Sequence, residues 1–172
     1  MTWRLRRATP GDSPALSLVA SAAFLDAYAS VLNGADIIGH CARNNSHAVF
    51  ETWLSDPQTV VTLAEYEPGH APIGYTVLTS PDFPIDTDAA DIELRRIYTL
   101  KQFHGGGVGQ GLLREACDDA RAGGHTRMLL GVWAKNSRAR RFYERAGFEV
   151  VGSRSFAVGD TLYEDPVYAL RL

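Results

Sequence analysis

Residues 103–113 read FHGGGVGQGLL, with five glycines among the seven residues from 105 to 111. Glycine is the residue that loses most conformational freedom on folding, roughly 0.5–1 kcal/mol relative to alanine in a regular element. Such a cluster needs a structural reason. The stretch before it, Asp91 to Leu100 (DIELRRIYTL), has the β-branched and apolar composition of a strand. The stretch after it alternates by helical periods. Apolar residues stand at 108, 112, 113, 116, 117 and 120, and Gln110, Arg114, Glu115, Asp118, Asp119 and Arg121 take the other face. A glycine segment that joins a strand directly to a helix is not a linker. It can point several N–H groups into one concavity, and the helix N-terminus adds about half a positive charge. That arrangement suits a phosphate or pyrophosphate.

Two phosphate motifs fail by position. A dinucleotide fingerprint needs glycines at i, i+2 and i+5; starting at Gly107 it meets Leu112, and starting at Gly105 it meets Gln110. A P-loop needs Lys-Ser/Thr after its second glycine, and Leu112-Leu113 follow Gly111. The pattern that remains is His104-x-x-Gly107-x-Gly109 between a strand and a helix.

The rest of the chain supplies the frame. Trp3–Arg7 alternates as a first strand. Ser13-Pro14 predicts a helix start, with an apolar stripe from Leu16 to Val31 and a stop near Asn33-Gly34. Ala35 to about Leu54 is helical in tone. Thr59–Glu65 and Ile73–Thr79 predict an antiparallel pair across the turn chemistry of YEPGHAP, and Ser80–Ala90 a polar loop. Gly123-Gly124 closes the helix that follows the glycine segment. Arg127–Ala134 predicts a buried strand. Asn136 is a good N-cap for a helix with Ala139, Phe142, Tyr143 and Ala146 on one stripe, stopped by Gly147. Glu149–Phe156 and Tyr163–Leu172 predict two last strands. The expected fold is α+β, a single domain over 1–172 with a mixed, mostly antiparallel sheet of about seven strands flanked by about four helices.

Net charge is −3 across 172 residues, which argues against a general nucleic-acid binder. Two cysteines are too few for a disulfide framework, and the charged start MTWRLRRATPGD has no leader-like apolar run. No stretch of about 18 apolar residues could span a bilayer. A cytoplasmic location with no membrane partner is the expectation. The five histidines have no metal-ligand spacing, so no metal is expected.

The glycine segment, together with LGVWAKNSRARRFYERAGF at 130–148, resembles the GNAT acyltransferases. In that family an acyl-CoA pyrophosphate loop has the form [Gln/Arg]-x-x-Gly-x-[Gly/Ala], and a later motif runs strand, Asn, Phe-Tyr helix, Gly-Phe. The similarity extends to the bacterial polyamine N-acetyltransferase branch through ELRRIYTLKQFHGGGVGQGLL, LGVWAKNSRARRFYERAGFEVVGSRSFAVGD and Asp165. His104 and Gly106 depart from the pattern, standing where a glutamine or basic side chain is usual.

The resemblance implies an N-acetyltransferase with acetyl-CoA as co-substrate and a small-molecule amine, such as a polyamine, as acceptor. His104, Gly105, Gly106, Gly107, Val108 and Gly109 would hold the pyrophosphate. Ile97, Tyr98 and Thr99 would meet the pantetheine arm and thioester, and a backbone N–H among them would serve the oxyanion. Asn136 would bond the pantetheine arm, and Tyr143 would protonate the departing thiolate. An alkyl amine of pKa near 10.4 is only about one part in 2,500 neutral at pH 7, so a base is required. Glu93 is the candidate, with Asp91 alternating beside it. A protein N-terminus, a lysine or an amino-antibiotic are alternative acceptors, and an acyl-CoA-binding sensor is the non-catalytic alternative. A homodimer is compatible with the resemblance.

Overall fold

A computed structural model of the chain describes residues 2–158 and 161–172. Gly159 and Asp160, the end of the quoted SRSFAVGD stretch, lie outside the described residues. Seven strands form one mixed sheet in the order β1-β2-β3-β4-β5-β7-β6. The chain divides into two compact units, residues 1–78 with 96–116 and residues 79–95 with 117–172.

The first unit holds β1 (Trp3–Arg7), α1 (Ser13–Tyr28), α2 (Gly34–Asn44), α3 (His47–Ser55), β2 (Val60–Tyr66) and most of β3 (Ala71–Thr79). It also takes the end of β4 (Asp91–Thr99) and the start of α4 (Val108–Ala122). The expected antiparallel pairing of β2 with β3 is present, and β1 adds antiparallel to β2. Val61 and Leu63 of β2 pack with Leu16, Val19 and Ala20 of α1 and Phe50 of α3. Ala64 packs in a second cluster with Ile73, Val108 and Leu112. Each fully buried aliphatic or aromatic side chain of this kind contributes about 1.5–3 kcal/mol.

The helix boundaries of this unit differ from the sequence reading. α1 begins after a 3-10 turn at Pro10–Asp12, in which Thr9 and Asp12 form a reciprocal capping box, so Ser13 is its first residue and Asp12 its N-cap. Asn33 does not stop α1, which ends at Tyr28. It starts α2 instead, its side chain accepting from the Ala35 N–H at 2.9 Å. Apolar periodicity marks a helical face but not which asparagine caps which end. The 35–54 helical segment is two helices, because Ser46 caps α3 by accepting from Val49.

The second unit contains the start of β4, β5 (Arg127–Gly131), α5 (Ser137–Arg145), β6 (Glu149–Val158) and β7 (Thr161–Arg171). Asp91, Ile92 and Glu93 pair in parallel with Arg127, Met128 and Leu129. β7 runs antiparallel to both β5 and β6. Met128, Leu129, Val167 and Tyr168 are fully buried there. No described helix is long and apolar enough to cross a membrane.

Candidate active site

The expected site residues fall into two groups, one in each compact unit. In the first unit β4 ends at Thr99, a 3-10 turn covers Lys101–Phe103, and α4 begins at Val108. The Lys101 N–H donates to the Asp26 carboxylate of α1 at 3.1 Å. Gly105 and Gly107 have φ of +81° and +82°, the left-handed region in which a Cβ is crowded by its own carbonyl. Their identity is therefore required by the turn itself. A Cβ added at Gly105 would meet nothing within 4 Å, so the loop is open to solvent on that side. The N–H groups in the first turn of α4 have no intrahelical partner and carry the positive end of the helix dipole. An open loop over a helix N-terminus fits a pyrophosphate. Gly106 is committed internally: its N–H donates to the Phe103 carbonyl at 3.2 Å, and its own carbonyl accepts from Trp3. The exposed His104 ring places Nε2 3.2 Å from the Thr99 carbonyl, which the Nε2-protonated tautomer satisfies by donating.

Ile97, Tyr98 and Thr99 are partly buried on the β4 segment that leads into this loop. The Tyr98 ring stacks on Tyr75 with centroids 6.0 Å apart. A Cβ at Gly74 would lie 2.7 Å from the Tyr98 carbonyl oxygen and 3.0 Å from Thr99 Cγ2. Backbone occupies that space, so the strand must move to admit a methyl group. Gly74→Ala is expected to cost about 1–3 kcal/mol by overpacking and to lower Tm by roughly 3–10 °C. Thermal unfolding of the variant checks this, and an unchanged Tm would show that 97–99 is not held against β3 in this way.

The second unit holds Asp91, Glu93, Asn136 and Tyr143. The two β4 carboxylates separate sharply. Asp91 accepts from Arg127 Nε at 2.6 Å and from the Asp88 N–H at 2.9 Å. The Arg127 bond holds its carboxyl below the usual aspartate range. That makes it a structural ion pair and a poor base. Glu93 is buried at 2% exposure, and burial pushes its carboxyl above the usual glutamate range. Arg95 at 2.8 Å and the Asp82 N–H at 3.0 Å oppose that shift without cancelling it. A carboxylate whose proton affinity is raised toward neutrality is better matched to general base work.

Asn136 is the N-cap of α5, its Oδ1 accepting from the Ala139 N–H at 3.0 Å. Tyr143 is 7% exposed. Its ring lies edge-on to Phe142 at 5.3 Å and to Phe148 at 5.7 Å, and tilted to Tyr168 at 6.4 Å. The apolar stripe thus correctly places it in an aromatic cluster.

For several further residues neither period nor cap chemistry reveals the contacts they make. Asp165, buried on β7, accepts from the Ala134 N–H at 2.9 Å and so ties down the turn ahead of Asn136. The Arg154 guanidinium lies over the Phe83 ring at 5.2 Å and within 2.6 Å of where a Gly131 Cβ would stand. In the first unit Arg96 donates to Asn45 Oδ1 at 2.7 Å and to the Asn44 carbonyl at 2.9 Å, with its guanidinium over Trp53. His40 stacks on Phe24 at 4.0 Å, and burial with Arg96 and Arg43 lowers its pKa to about 4. It is neutral at physiological pH. Each of these contacts joins segments distant in the chain, which periodicity cannot reveal. Among the described residues no group of three or more His, Cys, Asp or Glu could hold a metal ion.

The Acetyltransferase (GNAT) family profile matches residues 30–148. An N-acetyltransferase of Mycobacterium tuberculosis strain H37Rv, itself uncharacterized, is 33% identical over 148 residues, covering 86% of this chain and 90% of that protein. Among solved structures, the PaiA N-acetyltransferase from Thermoplasma acidophilum in complex with coenzyme A superposes with a TM-score of 0.82 at 21% identity over the whole of both chains. The ribosomal-protein-S18-alanine N-acetyltransferase of Escherichia coli does so at 0.72 and 16% identity, covering 99% and 94% of the two chains. At these identities the structures attest the fold, while the profile and the mycobacterial relative attest descent. Taken with a glycine loop opening α4 and the Asn-capped Phe-Tyr helix, they show that the chain is an acetyltransferase of the GNAT family.

Proposed function

We propose that the chain, as one catalytic domain over residues 1–172, transfers the acetyl group of acetyl-CoA to a primary amine of a small molecule. The observation that carries this reading is the open loop with left-handed Gly105 and Gly107 at the N-terminus of α4. Acetyl-CoA supplies an activated thioester. Gly105, Gly107, Val108 and Gly109 offer backbone N–H groups to the pyrophosphate, with the helix terminus in place of the usual basic side chain. The Asn136 side-chain amide donates to the pantetheine arm. Glu93, through water, takes the proton the amine must lose. The neutral nitrogen attacks the acetyl carbon, the C–N bond forms and the C–S bond breaks. A backbone N–H of Ile97, Tyr98 or Thr99 donates to the carbonyl oxygen as it gains charge. The Tyr143 hydroxyl gives its proton to the departing sulfur, and the extra proton on the newly bonded nitrogen returns to the tyrosinate as the neutral amide forms.

A cationic acceptor such as a polyamine suits this reading. Asp82, Asp86 and Asp88 stand exposed on the 80–90 segment, beside the strand that carries Glu93. A thiol-release assay with acetyl-CoA and a panel of polyamines, an aminoglycoside and lysine-bearing peptides tests it. Turnover fastest on a small-molecule amine is expected. Release on peptides alone would overturn the small-molecule assignment.

A further inference from the structure

Trp3 lies about a hundred residues before the glycine loop, yet the loop is built around its indole. Two separate observations establish this. The indole Nε1–H donates to the Gly106 carbonyl at 3.1 Å. A Cβ at Gly111 would stand 2.6 Å from Trp3 Cη2 and 3.1 Å from Cζ3, and one at Gly107 would stand 3.7 Å from Cζ2. The ring therefore occupies the space that the missing side chain of Gly111 leaves. It is held there by β1, where Trp3 pairs with Tyr66 of β2.

The hydrogen bond has a directional consequence. In a planar trans peptide the C=O and the following N–H point in opposite directions. Fixing the Gly106 carbonyl toward the indole aims the Gly107 N–H away from it. The Gly107 N–H is one of the donors assigned above to the pyrophosphate. A loop this rich in glycine has many alternative conformations, and each would scatter its N–H groups. A rigid ring that both bonds the loop and fills the gap beneath it selects one of them.

We propose that Trp3 is a positioning residue for the pyrophosphate loop: it orients the Gly106–Gly107 peptide, and Gly111 is glycine to admit its ring. The proposal rests on the acyl-CoA reading of the loop. Trp3→Phe keeps an aromatic side chain on β1 but deletes the Nε1–H donor and shortens the ring that reaches Gly107 and Gly111. It is expected to raise the Kd of coenzyme A, measured by calorimetry, about threefold to tenfold. kcat at saturating acetyl-CoA should change by no more than about twofold, since the reacting atoms are not touched. Acetyl-pantetheine has no pyrophosphate, so its kcat/KM should not respond to the substitution. Gly111→Ala should weaken coenzyme A binding in the wild-type background and add nothing in Trp3→Leu, where the ring it would strike is gone. Coenzyme A bound equally by wild type and Trp3→Phe would overturn the proposal. So would equal losses for acetyl-CoA and acetyl-pantetheine, which would mark Trp3 as a general stabiliser. Failure of the wild type itself to bind coenzyme A would instead overturn the acyl-CoA reading, and the positioning role with it.

Discussion

Tyr143→Phe is expected to lower kcat about tenfold to a hundredfold while leaving the Kd of coenzyme A within about twofold of wild type. The size follows from the leaving group. A thiol of pKa near 8.5 departs unprotonated at pH 7 at a cost of about 2 kcal/mol, so a donor that removes this cost is worth about 30-fold. The substitution deletes only the hydroxyl. The ring remains packed against Phe142, Phe148 and Tyr168, so Tm should hold. Steady-state turnover, calorimetry and thermal unfolding on the same preparation separate the two possible roles of this tyrosine. Unchanged turnover would make Tyr143 a core residue and nothing more.

Glu93→Gln is expected to lower kcat/KM about a hundredfold near neutrality and to erase one limb of its pH profile. With the acceptor's own neutral fraction divided out, wild-type kcat/KM should rise with pH through a pKa above the ordinary glutamate range. Burial is what places that pKa there. The rise should be absent in the glutamine variant, and its persistence would assign the base elsewhere. Stability moves in the opposite direction. The folded chain holds the Glu93 proton more tightly than the unfolded chain does. Its contribution is fully present below the ordinary glutamate pKa and declines as pH rises through the raised value. Asp91 shows the reverse sign. Its lowered pKa contributes stability above the ordinary aspartate range, which is lost as the pH falls through the depressed value. Two carboxylates two residues apart on one strand are thus set to different tasks, one by burial and the other by Arg127.

Much of the frame is legible in the chain. The β2–β3 pair, α4 over Val108–Ala122, β5, and α5 with its Asn136 cap and Gly147 stop all follow from period and cap chemistry. These signals are local: each depends on residues within a few positions of one another. The alternation of Asp91 and Glu93 on β4 is equally local, but it does not choose between them, because the choice depends on Arg127, Arg95 and the Asp82 amide.

By itself the sequence determined that a strand runs into a glycine turn and out into an amphipathic helix, and that the turn is neither a dinucleotide fingerprint nor a P-loop. The tertiary structure decided why the glycines are individually needed. Gly105 and Gly107 adopt left-handed backbone, and Gly111 makes room for the ring of Trp3. It also decided that burial dominates the proton affinity of Glu93 and the Arg127 bond that of Asp91, although both carboxylates are buried and paired with an arginine. The physical reason is the same in each case. Backbone handedness, steric vacancy and proton affinity are set by neighbours in space, and Trp3 reaches its neighbours only when β1 pairs with β2.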